Sequence, residues 1–489
     1  MTMVSKLLLA LMGAGAGVSL IATGGMSYAQ TAQTAPPLSS ATAPSGAAAA
    51  AAYERLGRRI REGIRASRAA KPLPVRGTNG VTQLPIDKVL GPSLFKREGR
   101  APAPPPPQAR SLQYVPGCPY QNGMKTASLL RVFADVSWHV CVTDMGMKSL
   151  WVGPVELKRT PTSPWMTVLY QAGLADIFVP YHQRTWFRPY DLNPWVFALD
   201  AVQPQDAGST GGTVVLTNET VPTVVTEVRD RGIAWLCKQT TSIRRRGQEF
   251  IVWGIADGGN YDNIVQYSFR DDGSIGFRLG NTGYSDPSSP DEPHMHTGLW
   301  RVDMDLNGSA NDTAYYEIHN EYNTLTASDT IAPVGNEGGF KWIDIQFKSL
   351  LIQDASTNAY GHRLGYEFTP AVQNGVARHF GPGEQWTQDD VYVTRYHSNE
   401  LAWTIPANWS TPDGYLAPTI NGESTNNQDL VEWVKASAHH HPTDEDRSIN
   451  DLSTTNTTGV TLVHWSGFDI EPHNLFNTNP LGGPPRCGP

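Results

Sequence analysis

His294-Met295-His296 places two imidazoles two residues apart. On an extended strand, residues i and i+2 project from the same face, so both rings can reach one ion. Imidazole suits Cu(II) and Zn(II), and copper binds a given nitrogen site more tightly. A third imidazole is available in His439-His440-His441. Upstream, Tyr261 lies in Asn260-Tyr261-Asp262-Asn263, between small polar neighbours that leave room for a ring to move. A phenol beside Cu(II) can be activated for oxygenation by O2. Taken singly, these residues are ordinary. His-x-His and a His triplet are common surface patterns, Tyr261 reads as a core or hairpin tyrosine, and Asp191 reads as a turn or capping residue. Their chemistry requires a scaffold that brings them together.

That scaffold reads as β. Ile264–Phe269 alternates, Asp271-Asp272-Gly273 supplies a turn, and Ile275, Phe277 and Leu279 alternate again, which is a hairpin signature. Trp300–Leu306, Phe340–Phe347 and Val391–Tyr396 also alternate. Turn pairs recur at Asn307-Gly308, Asp413-Gly414 and Pro382-Gly383. There is no internal repeat. The expectation is a large antiparallel β-sandwich over 111–489 with few helices.

The preceding residues differ. Met1–Ala29 reads as a signal peptide, with Lys6, an apolar run from Leu7, and Ser27-Tyr28-Ala29 as a small-x-small cleavage site. The alternative, a membrane anchor, is disfavoured because glycines keep the apolar run short for a span. An exported, periplasmic or secreted, protein is expected. Residues 30–110 read as an irregular and partly helical extension. Gln30–Ala52 is rich in Ala, Thr, Pro and Ser and cannot build a core. Tyr53–Lys71 suits a short basic helix, with Leu56, Ile60 and Ile64 on one side among six arginines, weakened by Gly57 and Gly63. It is a solvated helix, or a docking segment for a partner subunit or an anionic surface. Ala101–Pro107 reads as an extended polyproline linker. The net charge of −8 argues against nucleic acid as the main partner. No later segment is long and apolar enough for a membrane helix. Export permits disulfides; the four cysteines allow three pairings, of which proximity favours Cys118–Cys141 with Cys237–Cys487.

Asn260-Tyr261-Asp262-Asn263, after the apolar run Ile251–Ala256, resembles the cofactor motif of the copper-containing amine oxidases. The resemblance implies that Tyr261 is the precursor of topaquinone. Further matches keep the family's order. Leu169–Tyr181 resembles the VLYxxSLxEMxVPY segment, and Tyr181 is then expected to hydrogen-bond a quinone oxygen. Asp191 fits the catalytic aspartate that follows, with Asp200 as the competing assignment. His294-x-His296, followed by Arg301-Val302-Asp303-Met304-Asp305, resembles HxH…DLDVDG. His440–Asp446 resembles HxPxxED, which makes His440 the third copper ligand rather than His439 or His441. Asp303, the Met304 carbonyl, Asp305, Asp429 and the Leu430 carbonyl match the family's peripheral calcium-type site, whose oxygen ligands suit a hard cation. Val391–His397 and Asn474–Pro480 resemble the LWVTRYH and NFFxxNP segments.

The resemblance spans roughly Val136 to Pro480 and implies the family's catalytic β-sandwich in an N-terminally trimmed member. It implies oxidative deamination of primary amines to aldehydes with O2, releasing H2O2 and ammonia. Asp191 would act as general base, Tyr181 and Asn260 would hold the quinone ring, and the protein would be a homodimer. Several positions depart from the pattern. Asp257 stands where Thr or Ser is usual, Lys435 replaces a Thr, His441 an aliphatic residue and Ser448 a Pro, and Asn450 occupies the offset of a methionine near copper. Two other readings compete. One is a zinc-dependent hydrolase built on the same histidines, which gives Tyr261 no role. The other is a non-catalytic, copper-binding or structural relative.

Overall fold

The computed structural model describes residues 113–114, 118, 125–146, 149–180, 186–187, 198–237, 243–258, 261–283, 292–319, 330–343, 347–371, 385–397, 416, 419–446 and 460–483. All lie in the unit Phe95–Pro489. The expected signal peptide, leader, basic helix and polyproline linker lie outside the described residues.

Two antiparallel sheets make up the described chain, with only short 3-10 turns beside them. The first sheet opens with a meander of Lys125–Val132, Ser137–Asp144, Leu150–Lys158 and Trp165–Pro180, then continues through His294–Met304, Leu430–His440, Val391–Arg395 and Gly338–Phe340. The second opens with Val224–Cys237, Ile243–Asp257, Tyr261–Arg270 and Ile275–Gly283. It continues through Thr461–His473, Arg363–Ala371, Phe347–Thr357 and Asp312–His319. The expected sandwich is therefore observed. So is the expected hairpin: Phe269 pairs with Ile275, and Gly273 takes φ 90° in the turn, a conformation that costs glycine little.

The sheets are joined by large side chains. Trp300 of the first sheet packs edge-on against Phe277 of the second at 5.6 Å between ring centroids, and Phe277 stacks on Phe468 at 4.6 Å. Polar atoms of the interior are paired across the layers. The Tyr267 hydroxyl donates to the Leu150 carbonyl at 2.7 Å, and the Trp138 indole N–H donates to the Arg270 carbonyl at 2.8 Å. Truncating a buried aromatic of this kind costs roughly 3–5 kcal/mol, so the layer spacing at the site is stiffly held.

One expected strand is not one. Phe340–Phe347 does not run as a single element. Phe340 pairs with Val391 at the edge of the first sheet, whereas Phe347 pairs with His319 in the second. The segment crosses between layers, and the Trp342 backbone N–H is taken up by the Asp390 carboxylate at 3.1 Å. Trp300–Leu306 is strand up to Met304, but both of its faces are buried, so alternation there does not separate core from solvent. Cys118 and Cys141 are disulfide-bonded as expected. Cys237 is also disulfide-bonded, and its expected partner Cys487 lies outside the described residues.

Candidate metal centre

The two strands that carry the histidines are neighbours. In the antiparallel ladder between His294–Met304 and Leu430–His440, His294 lies directly opposite His440 and His296 opposite Ala438. The period-2 geometry turns all three rings toward the gap between the sheets. His439 and His441 have the other parity and are exposed. All three inward rings are buried, and one ligand atom from each lies within 4.8 Å of the others.

Tyr261 comes from the opposite sheet, at the first position of the strand Tyr261–Arg270. A tight reversal delivers it. The Gly258 N–H donates to the Tyr261 carbonyl at 2.8 Å, and a Cβ on Gly258 would sit 2.5 Å from that oxygen. The buried phenol oxygen then lies 3.1 Å from His294 Nε2 and 2.8 Å from His440 Nδ1. The Tyr261 ring packs edge-on against His296 at 4.4 Å.

Hydrogen bonds at the outer edge of the rings decide which nitrogens face inward. His294 Nδ1 lies 2.8 Å from the Glu292 carbonyl, so it carries the proton and Nε2 presents a lone pair. His440 Nε2 lies 3.2 Å from the Asp446 carboxylate, which leaves Nδ1 as the inward lone pair. These two lone pairs face each other at 3.2 Å. His296 Nε2 is buried with no hydrogen-bond partner. The single phenol proton cannot serve three nitrogen acceptors. Nor do the rings readily take up protons of their own. Burial lowers the pKa of His294 to about 4, that of His296 well below its ordinary value, and that of His440 as well. A divalent cation satisfies such a proton-poor set of nitrogens, so the residues fit a copper-type ion. The carboxylate behind His440 is the outer partner that metal-bound histidines typically use to fix their tautomer.

Asp446 was not assigned a role from sequence, although it sits six residues after His440 in the HxPxxED resemblance. The Glu292 carbonyl was not foreseen either, because a backbone acceptor leaves no residue-type signal. The structure adds His464, whose ring packs on His440 at 4.6 Å.

A second cluster forms at the far end of the same two strands. Met304 pairs with Leu430, which brings Asp303, Asp305 and Asp429 together with one carboxylate oxygen each within 4.8 Å. Asp303 accepts a 2.8 Å hydrogen bond from buried Arg301, whose guanidinium lies over the rings of Tyr396 and Trp433. Burial, reinforced by the charges of Asp303 and Asp429, raises the pKa of Asp305 to about 8. Burial and the Asp303 charge raise that of Asp429 to about 6. Asp429 Oδ1 is buried without a partner. Three close carboxyls, of which only Asp303 is hydrogen-bonded to a guanidinium among the described residues, fit a hard cation.

Tyr181, Asp191 and Asn260 lie outside the described residues. Asp200 does not: its N–H donates to the Ile255 carbonyl at 2.8 Å, which fastens it to the strand that leads into Tyr261. Burial, with the Asp257 charge, raises its pKa, and Asp262 is raised by burial and by the charges of Asp200 and Asp257. Asp257, one of the departures, pairs with Asp262 across the hairpin. Lys435 has the opposite parity to His440. It is buried 3.0 Å from Asp390 and donates to the Thr387 carbonyl at 3.0 Å, away from the metal centre.

Residues 227–485 match the copper amine oxidase enzyme domain. The chain belongs to the copper amine oxidase family. It is 25% identical over 366 residues to primary amine oxidase 2 of Arabidopsis thaliana, covering 64% of this chain and 52% of that protein. Identity to the Klebsiella aerogenes primary amine oxidase is 24% over 394 residues, or 65% of this chain and 48% of that one. The copper amine oxidase vicK1 of Bipolaris victoriae is 25% identical over 268 residues, 48% of this chain and 36% of its own length. The chain thus spans about half or less of these relatives. Among solved structures, Pichia pastoris lysyl oxidase superposes with a TM-score of 0.55 at 17% identity, covering 71% of this chain and 53% of that one. A copper-containing benzylamine oxidase from Hansenula polymorpha gives 0.55 at 19% identity, covering 78% and 64%. These two likenesses concern the fold.

Proposed function

We propose that the protein is a copper-dependent amine oxidase that converts primary amines to aldehydes, consuming O2 and releasing H2O2 and ammonia. The observation that carries this reading is the Tyr261 phenol oxygen, 3.1 and 2.8 Å from nitrogens of two of the three clustered histidines. A zinc hydrolase on the same histidines would keep that place open for a metal-bound water, whereas here the phenol occupies it.

His294 Nε2, His296 and His440 Nδ1 hold the copper ion. Copper(II), when bound, supports oxidation of the Tyr261 phenol by O2 to topaquinone, and that quinone supplies the redox chemistry of amine oxidation. The chain's own residues do the rest. Asp446 and the Glu292 carbonyl fix two imidazole tautomers, and the buried layer between the sheets excludes water. Asp191 takes the proton from the substrate Cα–H as general base. Asp200 is the second reading for this base, favoured by its raised pKa and its attachment to the strand that delivers Tyr261. Tyr181 and Asn260 orient the ring. Asp303, Asp305 and Asp429, with the Met304 and Leu430 carbonyls, hold a calcium-type ion away from the chemistry. The protein is exported and acts as a homodimer.

The test is expression of wild type and Tyr261→Phe in copper medium under air. Wild type develops a visible quinone band and releases peroxide with primary amines. Tyr261→Phe retains copper and shows neither, and oxidase activity retained in that variant overturns the assignment.

A further inference from the structure

Glu317, Glu367 and His473 converge on the second sheet, each half-buried, with one ligand atom apiece all within 4.8 Å. They come from three strands. Glu367 lies opposite Glu471, and His473, two residues on, lies opposite Gly365, so Glu367 and His473 are diagonal neighbours on one face. Glu317 lies opposite Ser349 on the intervening strand, and Leu351 of that strand lies opposite Glu367. The small Ser349 side chain leaves room for Glu317 to reach across.

The face is opposite to the one packed against the first sheet. On the same strands, Tyr366, Phe368, Phe468 and Ile470 point into the core. The cluster is therefore separate from both the histidine centre and the three-aspartate cluster, which are built on strands of the first sheet.

We propose that Glu317, Glu367 and His473 bind a divalent transition-metal ion, for which Zn(II) is the best match. Two carboxylate oxygens and one imidazole nitrogen are the donor types Zn(II) takes, and at usual bond lengths of about 2.0–2.2 Å its ligand atoms stand roughly 3.4 Å apart. The observed spread accommodates that spacing with small side-chain adjustments. The alternative, a direct His–carboxylate hydrogen bond, does not form between His473 and Glu367. Charge points the same way. Among the described residues, neither Glu367 nor neighbouring Glu471 makes an ion pair, and Arg363, the nearest arginine on that strand, is engaged by Tyr315 and by Asn427. A cation here would tie together three strands of the second sheet.

Copper-loaded full-length protein is titrated with Zn(II) by calorimetry, as wild type, Glu367→Gln and His473→Ala. Glu367→Gln keeps the shape of the side chain, and circular dichroism verifies the fold of both variants. Wild type takes up zinc at this site, and each substitution weakens that uptake by more than about tenfold, with copper content unchanged by elemental analysis. Zinc also raises the melting temperature of wild type and not of His473→Ala. A zinc isotherm that neither substitution alters overturns the proposal, because such binding belongs to other residues such as exposed His439 and His441. So does a wild type that takes up no zinc.

Discussion

Asp305→Asn should stabilise the calcium-free protein above neutral pH and abolish most of its response to calcium. Asp305 sits 8% exposed, with its carboxyl close to those of Asp303 and Asp429. Its pKa rises from 3.8 to about 8 through burial and then through those two charges. Between these values the folded chain keeps a proton that the unfolded chain releases, so stability falls as pH climbs from about 4 to about 8 and is flat above. At pH 7 that span is about 3 pH units at about 1.4 kcal/mol each, at most about 4 kcal/mol. Asparagine removes the ionisable group and with it this loss. Calcium at the proposed site would supply the missing charge, and a ligand at about a thousandfold its Kd contributes about 4 kcal/mol, close to the size of the loss. The assay is the thermal midpoint of wild type and variant at pH 5 and pH 8, in chelator and in millimolar calcium. In chelator at pH 8 the variant should melt higher, and at pH 5 the two should converge. In calcium at pH 8 the gap should largely close, because wild type gains about 4 kcal/mol and the variant little. Equal midpoints in chelator at pH 8, or an equal calcium shift in both proteins, would refute the charge-repulsion reasoning.

Asp446→Ala frees the His440 tautomer and should weaken copper binding about 10–100-fold, measured by competition with a chromogenic chelator, with the fold intact by circular dichroism. Replacing the general base should lower kcat on the order of 10²–10⁴-fold while the quinone band still forms; comparing Asp191→Asn with Asp200→Asn identifies which aspartate abstracts the proton. Lys435→Met leaves the Asp390 carboxylate buried without its cation and should destabilise the chain by about 3–5 kcal/mol in denaturant titration. The double variant Lys435→Met, Asp390→Leu should recover part of that loss.

The histidine centre was partly legible because strand geometry is local. The spacing of His294 and His296 requires both rings to share a face once the segment is extended. The Asp271-Asp272-Gly273 hairpin was legible for the same reason, since turn chemistry and alternation act over a few residues. The choice of His440 within its triplet rested on family resemblance. Its physical cause is the register that sets His440 opposite His294 and gives His439 and His441 the outward parity.

Residue types and short-range spacing determined that His294 and His296 share a face, that the Asp271-Asp272-Gly273 hairpin forms, and that the chain favours an antiparallel sandwich. Only tertiary structure decided that Tyr261 reaches from one sheet to histidines on the other, that Asp446 fixes a tautomer, that Phe340–Phe347 changes layers, and that Glu317, Glu367 and His473 meet. The Tyr261–histidine contacts and the Glu317, Glu367 and His473 cluster join strands far apart in the chain. Sequence periodicity reports which face a residue occupies, but not which face lies opposite it.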